Sequence, residues 1–415
     1  MSTPSDLTQL RHVEEADVYK ADRLAGYLRR ERDDVVFTYA EPYLADLATP
    51  PVAFTLPKWA GEYRSTGGSV PAFFAGLLPE GLRLTAITTA ARTSEDDHLS
   101  TLLAVGADTI GDVRVLPAGA DPADPAPLFD QTDTARADFK ALFSRATSAD
   151  TDALDRTALP GVQIKVSAQM ISTPVSTTRG PAILKLNPPE YPFLVENENF
   201  FLDMAGACGI RVPNHHLASD ASGRTALFIS RFDRVYEHGK IRRLAQEDAC
   251  QVLGRYPAAK YRITLQEAIK ALADAVTAGR GSAPLAVLTM LEIAAFSYLI
   301  GNGDLHGKNL SVRQSPDGIW EVTPAYDLLS SQPYLNWADP MALSLYGRDA
   351  KLTYRSWEEA ATRLGVTERA IKRSVTRIVE ASELWTDRIA DIGFDDKMTS
   401  GLTTLITDRR RELRP

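Results

Sequence analysis

Gly301-Asn-Gly-Asp-Leu-His-Gly-Lys-Asn-Leu-Ser311, with Tyr326-Asp327 downstream, is the stretch on which the reading of this chain turns. Asp304 and Asn309 stand five residues apart, and Asp304 and Asp327 twenty-three apart. The stretch follows an apolar helical run, and its glycines let the backbone turn sharply, so Asp304 is expected on a loop. A loop carboxylate can take the proton of an attacking hydroxyl, and Lys308 beside it can neutralise charge developing on a transferred phosphoryl group. An amide oxygen from Asn309 and a carboxylate from Asp327 can hold magnesium against phosphates.

This spacing is that of a protein-kinase-like catalytic loop and its second metal-binding aspartate, and it predicts phosphate transfer from ATP. Magnesium is part of the prediction. At an effective dielectric near 20, two unit charges about 4 Å apart repel by about 4 kcal/mol, so without the cation Asp327 would oppose ATP. The plainer alternatives are a capped turn leading into a hairpin for Asp304 and a helix N-cap before Leu328 for Asp327. Each accounts for one carboxylate and leaves the pair unexplained.

Upstream, Lys185 ends the apolar run Pro181-Ala-Ile-Leu-Lys-Leu186, where a strand lysine that holds ATP phosphates belongs. Glu198 opens a helix thirteen residues later and is the expected ion-pair partner, with Glu196 competing for that role. Pro160-Gly-Val-Gln-Ile-Lys165 precedes a strand and can place backbone N–H groups over phosphates, with Lys165 adding charge; read alone, it is equally a turn. Ser230-Arg-Phe232 ends another strand and can present main-chain groups to an adenine edge, with Phe232 against the base; a buried Phe beside an ordinary Arg/Asp turn is the alternative. His215 and His216 read as surface residues.

The chain has 415 residues, 44% of them hydrophobic, which allows more than one core. A formal net charge of -8 argues against coating nucleic acid by bulk electrostatics. Only Cys208 and Cys250 occur, so no disulfide framework and no four-thiolate zinc site is available, and a reducing, cytoplasmic setting is expected. The N-terminus lacks the basic-then-apolar order of a signal peptide. The longest apolar run, 285–300, is interrupted by Thr289, Glu292 and Ser297 and reads as a core helix, so no membrane association is expected.

Residues 17–117 mix short β-rich pieces (35–39, 52–56, 113–116) with helical patches, which predicts a small α+β domain. Between 118 and 133, Asp121-Pro122, Asp124-Pro125 and Ala126-Pro127 with little apolar content predict a linker. Beyond it, a helix carrying Phe139, Leu142 and Phe143 precedes strands around 162–172, 182–186 and 226–230, with a helix from Glu196 that Gly209 ends. After Asp248 the pattern is helical, apart from a hairpin through Ser315-Pro-Asp-Gly318. The expected fold class is α+β, a two-lobed protein-kinase-like fold. Its parts are an N-terminal domain at 1–117, a linker at 118–133, a β-rich ATP-binding part at 134–245 and a helical catalytic lobe at 246–415.

With these residues in view, the chain resembles the HipA family of serine/threonine kinases, toxin components of bacterial toxin–antitoxin modules. The resemblance rests on Phe73-Phe-Ala-Gly-Leu-Leu-Pro-Glu-Gly81, Gly106-Ala-Asp-Thr-Ile-Gly111, Pro160 to Lys165, Ile229-Ser-Arg-Phe-Asp-Arg234, Arg243-Leu-Ala-Gln-Glu-Asp248, Gly303 to Ser311 and Pro324-Ala-Tyr-Asp-Leu-Leu-Ser330, in that order. It implies Asp304 as catalytic base, Asn309 and Asp327 as magnesium ligands and Lys185 as the phosphate-binding lysine. It further implies that Val162, Gln163, Ile164, Lys165, Val166, Ser167, Ser230, Arg231, Phe232, His306, Gly307, Lys308, Asn309, Tyr326 and Asp327 line the ATP site.

The same resemblance implies a small helix-turn-helix antitoxin as partner, operator DNA met through that complex, and a protein substrate such as an aminoacyl-tRNA synthetase. Arg369, Lys372, Arg373 and Arg377, at roughly helical spacing, are a candidate DNA-facing patch, with a solvated helix face as the plainer account. In characterised members a serine can precede the glycine of the Gly-x-Gln loop, and its autophosphorylation ejects the loop; Pro160 occupies that position here, so that switch is expected to be lost. Two competing readings remain: a small-molecule phosphotransferase of aminoglycoside or choline kinase type, whose loop is similar, and a pseudokinase acting as co-repressor.

Overall fold

The computed structural model describes residues 7–122, 137–147, 171–177, 180–237, 240–335, 337 and 339–415. The proposed phosphate loop, 162–167, and most of the expected linker lie outside them.

The N-terminal unit is a five-stranded antiparallel sheet of β1 (Glu15–Lys20), β2 (Arg23–Glu31), β3 (Asp34–Tyr39), β4 (Glu62–Ser65) and β5 (Val113–Pro117), in the order β4-β3-β2-β1-β5. Short helices α1 (Glu41–Ala45) and α2 (Ala72–Ala75) and the longer α3 (Gly81–Ala91) and α4 (His98–Val105) accompany it. Leu28, Val35 and Phe37 from the sheet share one apolar cluster with Phe74, Ile87 and Leu102 from the helices. The expected β piece at 52–56 is not a strand. Pro50, Pro51 and Pro57 surround it and offer no N–H to a ladder. The segment is held instead by the Tyr39 hydroxyl, which accepts from Val52 N at 2.8 Å and donates to the Leu56 carbonyl.

The next layer is an antiparallel sheet of β6 (Ile171–Thr177), β7 (Gly180–Leu186), β8 (His215–Ser219) and β9 (Thr225–Ser230), ordered β6-β7-β9-β8, with α5 (Phe139–Thr147) and α6 (Leu194–Ala207). Alternation along the strands sorts their side chains by face. Ala182, Leu184, Leu186 and Phe228 cluster with Phe139 of α5. Leu227 and Ile229 face the other way and share the large core with Phe201 of α6. Lys185, out of step with Leu184 and Leu186, is thereby placed on the α6 side of the sheet. His215, expected at the surface, is half-buried: its side chain is 8% exposed, with Nδ1 2.8 Å from the Pro213 carbonyl and Nε2 3.2 Å from Asp203 Oδ1, whereas His216 is exposed as expected and stacks on Phe228.

A hairpin of β10 (Arg234–Glu237) and β11 (Lys240–Arg243) leads to β12 (Gln246–Asp248), which pairs with β13 (Ser311–Gln314), and β13 pairs in turn with β14 (Trp320–Val322). The β13–β14 turn closes as its sequence predicts, with Gly318 at φ +81. Helices α7 (Ala249–Val252), α8 (Leu265–Ala278), α9 (Ala283–Ile300), α10 (Tyr354–Arg363), α11 (Glu368–Thr386) and α12 (Asp396–Leu413) form the helical lobe. By length and composition α9 is apolar enough to cross a membrane; it is mostly buried, packed against α8, α10, α11 and α12. An all-round apolar helix of this kind is what the centre of a large helical core requires.

Candidate active site

The catalytic-loop candidate begins where α9 stops. Gly301 takes a left-handed conformation at φ +74, and its N–H returns to the Tyr298 carbonyl at 3.2 Å. Asn302 then ties the site together: its amide oxygen accepts from Asp304 N at 2.9 Å, and its amide nitrogen donates to the Asp327 carbonyl at 3.1 Å. Gly303 N donates to Ser331 Oγ at 3.0 Å, and a Cβ at Gly303 would run into the Asp339 carboxylate. A loop pinned on both sides in this way holds its side chains without help from a ligand.

Asp304 is 6% exposed, and its Oδ1 accepts a hydrogen bond from the Tyr261 hydroxyl at 2.6 Å. Asn309 donates through Nδ2 to Asp327 Oδ2 at 2.8 Å, and its oxygen accepts from His306 N at 3.1 Å. Asp327 is half-buried and holds φ +54, a conformation that non-glycine residues seldom adopt. No helix follows it directly, so the N-cap alternative does not describe its geometry. A strained aspartate kept in place by Asn302 and Asn309 is a recurrent property of functional sites.

Lys185 completes the cluster. Its Nζ lies 2.7 and 2.8 Å from the Glu198 oxygens and 2.5 Å from Asp327 Oδ1. Glu196, the competing partner, accepts instead from Asn187 Nδ2 at 2.9 Å. Lys185 is 6% exposed and Glu198 fully buried. Burial alone would lower the ammonium's pKa, but the charges of Asp327 and Glu198 outweigh it and hold it above the ordinary lysine value. Lys185 therefore stays a cation at neutral pH.

Other predicted residues are placed differently. Lys308 is buried, and its Nζ is turned to Glu80 Oε1 at 2.5 Å and to the Gly76 carbonyl at 3.3 Å, both in the N-terminal unit. Lys260 pairs with the other Glu80 oxygen. Burial would raise Glu80, yet Lys308 and Lys260 bring it down to about 2. His306 is buried, and burial together with the Lys260 charge drives it well below the ordinary histidine value, so it is neutral. Gly307 has no room for a side chain: a Cβ there would meet Ile263 Cδ1 at 2.5 Å and Cys250 Sγ at 2.8 Å.

Ser230 and Arg231 spend their backbone N–H groups on the Asn214 and Pro181 carbonyls, at 2.8 and 3.0 Å. The Arg231 guanidinium turns away to Asp108 at 2.9 Å and Asp233 at 2.8 Å, in a buried network that Arg234 and Arg243 join. Phe232 lies 5.8 Å from the Tyr326 ring and under the Arg313 guanidinium at 5.7 Å. Tyr326 donates to the Lys308 carbonyl at 2.7 Å. Of the basic set on α11, Arg369, Lys372 and Arg373 are exposed, while Arg377 pairs with Glu292 at 2.7 Å.

Sequence reasoning missed three residues of this region. Asn302 stood inside the quoted loop and was read only as part of the turn. Glu80 lay in the 73–81 motif with nothing to indicate that it crosses to a lysine 228 positions later. Tyr261 had no motif at all.

Asp327, open to solvent on one side, offers carboxylate oxygens of the kind a hard divalent cation such as magnesium takes, whereas the Asn309 oxygen is turned to His306 N and its Nδ2 to Asp327, so its amide would have to turn over to join the ion. Among the described residues no cluster of three or more His, Cys, Asp or Glu side chains could hold a metal on its own.

Comparison with known proteins bears on the family and the fold. The sequence family described as the HipA N-terminal domain matches residues 16–116, and the HipA-like C-terminal domain matches residues 157–385. The chain is 31% identical to "Putative kinase Y4mE" of Sinorhizobium fredii, over 88% of this chain and 89% of that protein. It is 27% identical to the serine/threonine-protein kinase toxin HipA of Shewanella oneidensis, over 83% of this chain and 80% of that one. Its fold superposes on a chain from the Shewanella oneidensis MR-1 complex of HipA, HipB and operator DNA with a TM-score of 0.73 at 21% identity, covering 96% of both chains. A two-lobed α+β fold, a loop with the phosphoryl-transfer spacing and family matches on both sides of the 123–136 stretch thus lead to one assignment: the chain belongs to the HipA family of kinases.

Proposed function

We propose that this chain is a Mg-ATP-dependent serine/threonine protein kinase toxin that phosphorylates a component of translation. The carrying observation is the convergence of Lys185, Asn309 and Asp327, joined by hydrogen bonds of 2.5 and 2.8 Å, beside the loop that bears Asp304.

In this reading Lys185, fixed by Glu198, meets ATP phosphates. Asn309 and Asp327 would hold magnesium, which when bound would neutralise the polyphosphate charge. Asp304 accepts the proton of the attacking serine or threonine hydroxyl as the new oxygen–phosphorus bond forms and the bond from the terminal phosphorus to its bridging oxygen breaks, with ADP leaving. Lys308 acts from behind, through its pairing with Glu80, in steadying the loop that carries Asp304 and Asn309. Phe232 and Tyr326 supply apolar surface for the base.

The named partners of the Shewanella relative support the rest of the reading: a HipB-like helix-turn-helix antitoxin neutralises the chain, and operator DNA is met through that complex. An aminoacyl-tRNA synthetase is the substrate class we favour, with growth arrest as the outcome of its phosphorylation. A small-molecule phosphotransferase is disfavoured by the N-terminal unit, which is docked on the catalytic loop through Glu80.

The test is phosphate transfer from Mg-ATP by wild type and Asp304→Asn, with synthetase proteins and aminoglycosides as alternative acceptors. The Asn variant should lose about two to four orders of magnitude in rate while melting normally. Equal rates, or equal growth inhibition on expression, would refute an active kinase and favour a co-repressor that works by binding.

A further inference from the structure

The connection between α7 and α8, residues 253–264, carries none of the motifs that mark the site, yet it grips the catalytic loop at successive points. The Lys260 carbonyl accepts from Gly307 N at 3.0 Å, and Lys260 Nζ shares Glu80 with Lys308. Ile263 closes over Gly307, so the loop and the connection meet with no space for a single methyl group. At the centre of this grip, the Tyr261 hydroxyl lies 2.6 Å from Asp304 Oδ1 and its ring stands edge-on to His306, centroids 5.1 Å apart.

We infer that Tyr261 is a positioning residue for the catalytic base: its hydroxyl fixes the Asp304 carboxylate while its ring braces His306 two residues on. The inference rests on the proposed role of Asp304. A carboxylate on a loop can rotate about two torsions, and proton acceptance needs it within hydrogen-bond reach of the acceptor hydroxyl. A donor at 2.6 Å is in the range of a charge-assisted hydrogen bond and holds one oxygen in place. Tyr261 must remain a donor for this. Burial first, and then the Asp304 charge, raise its phenol pKa, so it keeps its proton. No proton passes to or from Tyr261 in the reaction; the acceptor's proton goes to Asp304 and the phosphoryl group to the acceptor oxygen.

The decisive variant is Tyr261→Phe, which keeps the ring against His306 and removes only the hydroxyl. Wild type, Tyr261→Phe and Asp304→Asn are compared in Mg-ATP turnover, with casein or solvent water as phosphate acceptor, together with ATP KM and melting temperature. Removing one charge-assisted hydrogen bond from a base that must be aimed should lower kcat about 10- to 100-fold, with ATP KM within about twofold of wild type and an unchanged melt. Unchanged kcat in Tyr261→Phe overturns the inference, as does a rise in kcat, which would make Tyr261 a plug in the acceptor position. A fall in kcat matched by a rise in KM or a lower melting temperature also overturns it, in favour of a purely structural tyrosine. If Asp304→Asn is as active as wild type, the proposed function fails first; if Asp304→Asn is inactive and Tyr261→Phe is not impaired, only the inference fails.

Discussion

Glu80 of the N-terminal unit reaches Lys308 of the catalytic-loop candidate at 2.5 Å and shares its second oxygen with Lys260, so one carboxylate joins two parts of the chain 228 residues apart. Both lysines are buried, and a cation without its partner there would face the full penalty of desolvation. The N-terminal unit is in this sense a component of the catalytic loop's support.

Replacing Glu80 by Gln should therefore destabilise the fold by about 3 kcal/mol, because it strands buried cations, and should lower phosphoryl transfer with it. Denaturant melting measures the first effect and Mg-ATP turnover the second. A stability change within about 0.5 kcal/mol would mean that the bridge supports nothing.

Lys185→Met should weaken Mg-ATP binding by tenfold or more, measured by calorimetry, since the cation nearest Asp327 disappears. Glu198 would then be left buried without its counter-charge and would take up a proton to relieve it. The variant should accordingly lose stability relative to wild type as pH rises, and a parallel pair of stability–pH curves would contradict this.

Glu247 offers a pH dependence with a definite sign. It is buried, takes a hydrogen bond from Phe54 N at 3.0 Å, and burial pushes it up to about 8 despite the nearby Lys20 charge. A carboxyl raised in the folded state favours folding most below its unfolded value near 4.5, and that advantage is lost as pH climbs through about 8. Glu247→Gln removes this slope. The Gln variant should match wild type near pH 4.5 and exceed it by up to about 5 kcal/mol above pH 8, as read by melts across that range.

The opposite sign applies to the carboxylates that dock the N-terminal unit. The buried Asp233 accepts from Gly111 N at 2.9 Å, and although burial opposes it, Arg231 and Arg234 bring it down to about 2, as the lysines do for Glu80. Stability from such depressed groups is present above their unfolded values, near 4, and lost as pH falls toward 2. The N-terminal unit should undock in that window. Trp320, in edge contact with Phe54 across the same boundary at 4.6 Å, provides a fluorescence reporter, and Trp320→Phe the control. A signal constant down to pH 2 would exclude acid undocking.

Much of the site was legible because its chemistry is local. The interval from Asp304 to Asn309 spans one turn-rich loop, and the step to Asp327 is a single hairpin, so backbone geometry alone brings amide and carboxylate together. Lys185 and Glu198 were readable for a similar reason: strand alternation and the start of the next helix leave few other arrangements, although only the structure separated Glu198 from Glu196. The proline-flanked 52–56 segment was misread as strand because its apolar content mimics one, and its missing N–H donors tell only when a partner strand is sought.

What the amino-acid order determined by itself was the α+β fold class and the family, and it singled out the 301–311 stretch as the candidate loop, since turn chemistry and motif spacing are properties of neighbouring residues. Only the tertiary structure decided where the long side chains end. Lys308 turns to Glu80 instead of toward the cluster at Asp327, Arg231 to Asp108 and Asp233, and Tyr261 to Asp304. The physical reason is that a buried charge or hydroxyl takes whichever partner the packing of distant segments brings within about 3 Å, and sequence separation carries no record of that distance.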